Sequence, residues 1–210
     1  MKRLLPILVA AFLIVGGGAW LLMPGSNSAD GLPVLGAANA QSSAPADLSL
    51  VEEMNIGNED AAVTVIEYAS YTCPHCRRFH EGPFKQLKAD YIDTGKINFV
   101  YREVYFDRFG LWASMVARCG GEERFFGISD LIYAQQSEWT AGGDPAVIAG
   151  NLRRIGLTAG LTNEELDACF SDGAKAQALV AWWEGNGEED GVRSTPSFVI
   201  DGAAYGGMSC

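Results

Sequence analysis

The residues whose types and spacing most directly suggest chemistry are Tyr71-Thr72-Cys73-Pro74-His75-Cys76. They stand between a β-branched apolar run and a segment with helical periodicity, which places Cys73 at a helix N-terminus. There the unpaired N–H groups and the helix dipole favour an anion. His75, two residues on, can bring a proton-bearing imidazole near the sulfur. Pro74 falls in the first helical turn, where its missing N–H costs nothing. All three favour a thiolate at Cys73, the form that reacts in disulfide exchange. Cys76, one turn deeper, is then the shielded resolving thiol. A disulfide across so short a loop adds little to the stability of a fold. That favours a reactive pair over a structural one. The alternative of a zinc site would use Cys73, Cys76 and His80 as C-x2-C-x3-H. His75 and His80 are the only histidines and no second C-x-x-C exists, so that site lacks a ligand set. The expectation is no metal.

A second candidate lies far downstream, at Ser194-Thr195-Pro196-Ser197 before the apolar run Phe198-Val199-Ile200. Proline cannot donate to a sheet ladder, so at a strand start it marks an edge or a turn. It is either a plain loop proline or a cis proline that lies against the cysteine pair and presents backbone to a peptide.

These residues need elements to hold them. Ala62 to Tyr68 reads as a buried strand, with a short strand over Ser49 to Met54 before it. Phe79, Phe84, Leu87 and Tyr91 continue one helix after Cys73, ended by Thr94-Gly95. Ile97 to Val104 is the next strand, completing a βαβ unit. From Leu111 to about Glu184 the pattern is helical: Trp112, Met115, Val116 and Cys119 share one face, and Phe125 to Gln136 forms another helix. Asp144-Pro145 starts a helix as N-cap and first position. Thr162 with Glu165 makes a capping box before Leu166, Cys169 and Phe170. Strand signal returns at Ser197 to Ile200, and Asp201-Gly202 turns the chain back through Ala203 to Tyr205. A helical block therefore interrupts a small α/β fold.

Together, Cys-Pro-His-Cys after Glu67-Tyr68-Ala69-Ser70-Tyr71-Thr72 and the late Gly191-Val192-Arg193-Ser194-Thr195-Pro196-Ser197-Phe198 resemble the DsbA-like thiol:disulfide oxidoreductases. The resemblance implies an α/β thioredoxin-like fold with an inserted α-helical domain. The parts it implies are residues 49–108, an insertion over 109–184, and a return over 185–210. It implies an exported dithiol oxidase that passes its disulfide to newly translocated, unfolded proteins with cysteines, and a DsbB-like membrane partner that reoxidises it. The only cofactor is the redox-active disulfide Cys73–Cys76. Carried over, Cys73 is the nucleophile, Cys76 the resolving cysteine, and Pro74 and His75 the tuning dipeptide. Pro196 is the cis proline, preceded by Thr195, and Glu67 is the buried acid, a candidate for proton transfer. Some relatives have a second, non-catalytic disulfide in the insertion, which the resemblance carries over to Cys119 and Cys169, both expected to be buried. Thr195 stands where the best-known oxidases carry valine, and threonine is commoner among reductase- and isomerase-type relatives. Family members usually continue past a Gly-Met like Gly207-Met208 into a helix covering the sheet, whereas this sequence stops at Cys210. The alternative within this chemistry is a reductase or isomerase. The alternative outside it is a peptide-binding chaperone or adaptor with an incidental C-x-x-C.

Composition and the N-terminus fit export. The 210 residues are 48% hydrophobic and 20% charged, an ordinary globular balance. A net charge of −11 argues against nucleic acid or an anionic membrane surface as a partner. Lys2 and Arg3 precede an apolar run from Leu4 to Met23, so residues 1–23 read as a signal peptide or membrane anchor. Ala38-Asn39-Ala40 offers a cleavage site, and about 20 apolar residues also suffice to span a bilayer. Residues 24–48 read as a linker. Either way the mature part is periplasmic, soluble or tethered to the inner membrane. The cysteines number five, an odd count that leaves one, Cys210, without an expected partner.

Overall fold

The computed structural model describes residues 45–206. The N-terminal apolar run, the expected cleavage site and Gly207 to Cys210 lie outside them. No helix among the described residues is long and apolar enough to cross a membrane.

A five-stranded sheet is built from β1 (Met54–Gly57), β2 (Val63–Ala69), β3 (Ile97–Glu103), β4 (Ser197–Ile200) and β5 (Ala203–Gly206), in the spatial order β1-β3-β2-β4-β5. β2 and β3 run parallel and every other pairing is antiparallel. The parallel pair requires a crossover, which the segment after Cys73 supplies. β2 is central, so its side chains meet packing on both faces. Glu67 lies between Tyr101 of β3 and Phe198 of β4 in the register. The Asp201-Gly202 turn has positive φ at both residues, 48° and 80°, as a two-residue hairpin of this kind requires.

Two expected elements differ. No strand forms over Ser49 to Met54. Leu48–Leu50 is a 3-10 turn, and β1 starts only at Met54. The Asp47 carboxylate accepts from the Ser49 N–H (3.0 Å) and hydroxyl (2.7 Å), which closes the backbone locally and competes with a ladder. The single helix expected across Phe79 to Tyr91 is broken into α1 (Pro74–Glu81), α2 (Pro83–Leu87) and a π-helical turn (Lys88–Ile92). Pro83 has no N–H to continue the ladder and disfavours helical backbone at Gly82. Gly82 is accordingly non-helical (φ −124°, ψ −91°).

Six helices follow β3: α3 (Arg108–Cys119), α4 (Gly121–Ala134), α5 (Gln136–Trp139), α6 (Pro145–Thr158), α7 (Asn163–Ser171) and α8 (Gly173–Glu189). Asp144 caps α6 with Pro145 first in the helix, and Thr162 and Glu165 form the reciprocal capping box of α7. The helices do not make a core of their own. Trp112, Phe125, Ile132 and Leu152 join Phe79, Phe99 and Tyr101 in one apolar cluster, so they pack on the same sheet face that holds α1. The opposite face buries Tyr68 and Val199 with Trp183 of α8 alongside. A buried ion pair fastens α3 to the sheet: Arg118 Nε lies 2.6 Å from Glu103 Oε1, and Ser114 donates to the same oxygen. Beside β4, Val65, Phe79, Leu87 and Phe198 line an apolar groove of about 400 Å³.

Cys119 and Cys169 are joined in a disulfide with Cα atoms 5.9 Å apart. Their expected burial is not found. Both are only half-buried, because Cys119 ends α3 and its sulfur lies at the surface near the Glu165 carbonyl.

Candidate active site

The loop between β2 and α1 is fixed before any chemistry is considered. Tyr71 is buried, with its hydroxyl 2.6 Å from Ser129 Oγ. Thr72 donates to Asp107 Oδ2 at 2.7 Å, while the other oxygen of Asp107 caps α3. Gln136, buried at the start of α5, donates to the carbonyls of Tyr71 (2.7 Å) and Cys73 (3.0 Å). The helical block thus holds the reactive loop by its backbone, which nothing local in the sequence announces.

Cys73 is the N-cap of α1 and Pro74 its first residue. Cys73 is half-buried and Cys76 fully buried, and both are free thiols. The Cys73 thiol is pulled down to about 5, foremost by the Cys76 S–H, which donates to the thiolate. Hydrogen bonding from the Thr195 side chain and from the backbone N–H groups of Cys76 and His75 acts in the same direction, against partial burial. Burial drives Cys76 the opposite way, far above the ordinary thiol range. The hydrogen bond to Cys73 and the nearby Glu67 charge raise it further. One thiol therefore ionises readily and its neighbour resists ionisation.

His75 contributes differently from expectation. Its ring is turned to Arg78, whose guanidinium donates to Nδ1 at 2.7 Å. An arginine can only donate, so that nitrogen is the acceptor. What His75 gives Cys73 is its backbone N–H.

The Thr195–Pro196 bond is cis, and the Thr195 carbonyl oxygen lies 3.6 Å from Cys73 Sγ. The two contacts from Thr195 act in opposite senses. The carbonyl accepts from the thiol and repels a thiolate, while the side chain donates to the thiolate. The net effect of the surroundings favours the thiolate, because hydrogen bonding from Cys76, Thr195 and the backbone N–H groups of Cys76 and His75 outweighs partial burial.

Glu67 is completely buried and its charge acts on Cys76. Its Oε2 is 2.9 Å from His80 Nε2, and both side chains are sealed from solvent. His80 is thus held by Glu67 through one ring nitrogen. The pairing was not expected from the sequence. Its signal was available: His80 is four residues after Cys76, on the same helix face, pointing at the same strand. Gln136 and Asp107 had no comparable signal.

A half-buried thiol and a buried thiol one helical turn apart at a helix N-terminus, beside an X-Pro loop, define a class of dithiol/disulfide proteins. Comparison with known proteins agrees. The family model described as thioredoxin matches residues 49–209, and the chain belongs to that family. A Rickettsia bellii protein carrying the provisional name of protein-disulfide oxidoreductase is 37% identical over 151 residues, 71% of this chain but 57% of that protein. The chain thus spans little more than half of that relative. Among solved structures, Wolbachia pipientis alpha-DsbA1 superposes with a TM-score of 0.67 at 28% identity, covering 73% of this chain and 78% of that one. A protein-disulfide isomerase from Novosphingobium aromaticivorans gives 0.68 at 27%, covering 74% and 90%. The fold is therefore α/β thioredoxin-like with the helical insertion of the DsbA proteins.

Proposed function

We propose that this protein is an exported thiol:disulfide oxidoreductase acting as a dithiol oxidase on translocated proteins. The observation that carries the reading is the contrast between the two sulfurs: Cys73 half-exposed with its thiol drawn down to about 5, Cys76 buried and held protonated. A substrate thiolate attacks Cys73 of the oxidised pair, and the Cys73–Cys76 bond breaks. Cys76 leaves with the electron pair and takes up a proton. The substrate's second thiolate then displaces Cys73, so two substrate thiols become a disulfide and the enzyme becomes the dithiol. Because the surroundings stabilise the Cys73 thiolate, they stabilise the reduced enzyme and make its disulfide oxidising. Glu67 is the buried acid from which Cys76 draws its proton. Thr195 and Pro196, next to Cys73, form the backbone that a bound peptide meets.

A DsbB-like membrane protein is the proposed reoxidant, and the basic, then apolar residues 1–23 support export. Reductase or isomerase action is the second reading, favoured by threonine at position 195 and by the Novosphingobium relative's name. The test is oxidation of a reduced, unfolded cysteine-bearing protein by catalytic amounts of the protein with an excess oxidant. Wild type is expected to turn over and Cys73→Ser to be inactive. Equal activity of the two would instead support a chaperone or adaptor with an incidental cysteine pair.

A further inference from the structure

The Glu67–His80 pair poses an accounting problem. Both side chains are at least nine-tenths buried, yet each has one polar atom, Glu67 Oε1 and His80 Nδ1, with no hydrogen-bond partner in the protein. Burying such atoms unpaired costs on the order of 1–3 kcal/mol each. A structural ion pair would be placed where all its atoms are met. His80 instead lies one helical turn after Cys76 on α1, and the Glu67 charge acts on that thiol, whose proton is lost and regained in the exchange proposed above.

His80 cannot easily turn away. Its ring stacks on Tyr133 with centroids 4.3 Å apart and planes within 14°, and meets Tyr101 edge-on at 5.7 Å. Phe84 of α2 closes a third side at 4.6 Å. The ring is clamped with Nε2 on Glu67 Oε2. That hydrogen bond occupies one carboxylate oxygen and leaves the other, Oε1, without a partner, while the Glu67 charge reaches Cys76.

We propose that His80 is a positioning residue for thiol exchange: it engages Glu67 Oε2 through Nε2–H and so fixes the buried carboxylate that exchanges a proton with Cys76, one helical turn before His80 on α1. The proposal rests on the exchange chemistry put forward above and concerns one step of it. When a mixed disulfide on Cys73 is resolved, the Cys76 proton passes to the Glu67 carboxylate. The Cys76 thiolate attacks Cys73 Sγ, the Cys73–Cys76 bond forms, and the bond to the outside sulfur breaks with that sulfur leaving as a thiolate. In the reverse direction Glu67 returns the proton to Cys76. His80 keeps its own proton throughout. The other titratable groups around His80 are Cys76 on its own helix, Tyr101 of β3, and Tyr133 and Asp130 of α4. Burial holds both tyrosines protonated, and the Asp130 charge reaches His80.

The test uses the reduced full chain and oxidised glutathione as probe, following formation and then decay of the Cys73–glutathione mixed disulfide. His80→Leu is expected to leave formation and the Cys73 thiolate titration near 5 unchanged. It should slow decay about tenfold or more, a part of the 10²–10⁴ that proton transfer typically supplies, and change the pH profile of that step alone. His80→Gln, which retains a donor, should recover much of the rate. In a Glu67→Gln background, His80→Leu should add nothing. A wild-type decay rate and pH profile in His80→Leu would overturn the proposal, as would an undiminished effect in the Glu67→Gln background. Should His80→Leu not fold, ¹⁵N NMR of wild-type His80 decides: a proton on Nε2 is expected, and a bare Nε2 contradicts the proposal. If wild type forms no mixed disulfide at all, the exchange reading itself has failed and the proposal falls with it.

Discussion

The molecule contains two cysteine pairs whose surroundings differ in almost every respect. Cys119–Cys169 joins the ends of two helices 50 residues apart, on the helical block. Cys73 and Cys76 are one helical turn apart at the start of α1. In the loop-entropy account the first bond is worth roughly 4 kcal/mol and the second about 2. The first pair has no helix N-terminus, no adjacent X-Pro loop and no buried acid acting on it. The second has all three. Sulfur chemistry is the same in both, so under the proposed function placement, and not the presence of a disulfide, is what is expected to decide which pair exchanges.

The comparison breaks most visibly at Cys73. Cys73→Ser should reduce thiol exchange to background without unfolding the protein, measured by substrate oxidation and by thermal melting. The double variant Cys119→Ala/Cys169→Ala should do the reverse. It should cost up to about 4 kcal/mol in denaturant unfolding and keep exchange activity. Loss of exchange in the second variant, with stability intact, would invert the assignment.

Gln136 links the two regions, because it holds the reactive loop from the helical block. Gln136→Ala leaves the Tyr71 and Cys73 carbonyls without their buried donor, and about 1–3 kcal/mol of stability should be lost. Exchange should slow together with it, whereas substitutions near Cys169 should not touch the rate.

The smallest expected effect is a pH dependence of the reduced form. The folded Cys73 thiol titrates at about 5, well below an unfolded cysteine near 9. A lowered value contributes stability that is full above the unfolded value and is lost as pH falls through the folded one. Reduced protein should therefore gain stability relative to the oxidised form as pH rises from about 5 to about 9, in paired melting curves. Cys76 opposes this only towards the upper end, where an unfolded Cys76 would ionise and the folded one does not. Alkylation should mark Cys73 first, half-maximally near pH 5, and mild reductant should open Cys73–Cys76 before Cys119–Cys169.

The sequence disclosed what is local. Cys73 at a helix start, the Asp144 and Thr162 caps, the Asp201-Gly202 turn and the α/β order all rest on neighbours within a few residues, and each is found. It hid what depends on distant partners. Gln136 reaches the reactive loop across 63 residues of chain, and His80 finds Glu67 across 13. The break at Gly82-Pro83 was legible in its proline but masked by the apolar spacing that continues through it. His75 shows the same limit: its position near Cys73 was plain, but the direction of its ring depends on Arg78. The half-exposure of Cys119 and Cys169 also escaped periodicity, because a helix end can leave a residue on the apolar face open to water.

The most direct test of the central claim is the reduction potential of the Cys73–Cys76 couple, measured by equilibration with glutathione redox buffers and separation of thiol and disulfide forms. Stabilisation of the Cys73 thiolate predicts a disulfide more oxidising than the glutathione couple. A strongly reducing value, with the pair staying oxidised in reduced glutathione, would contradict it.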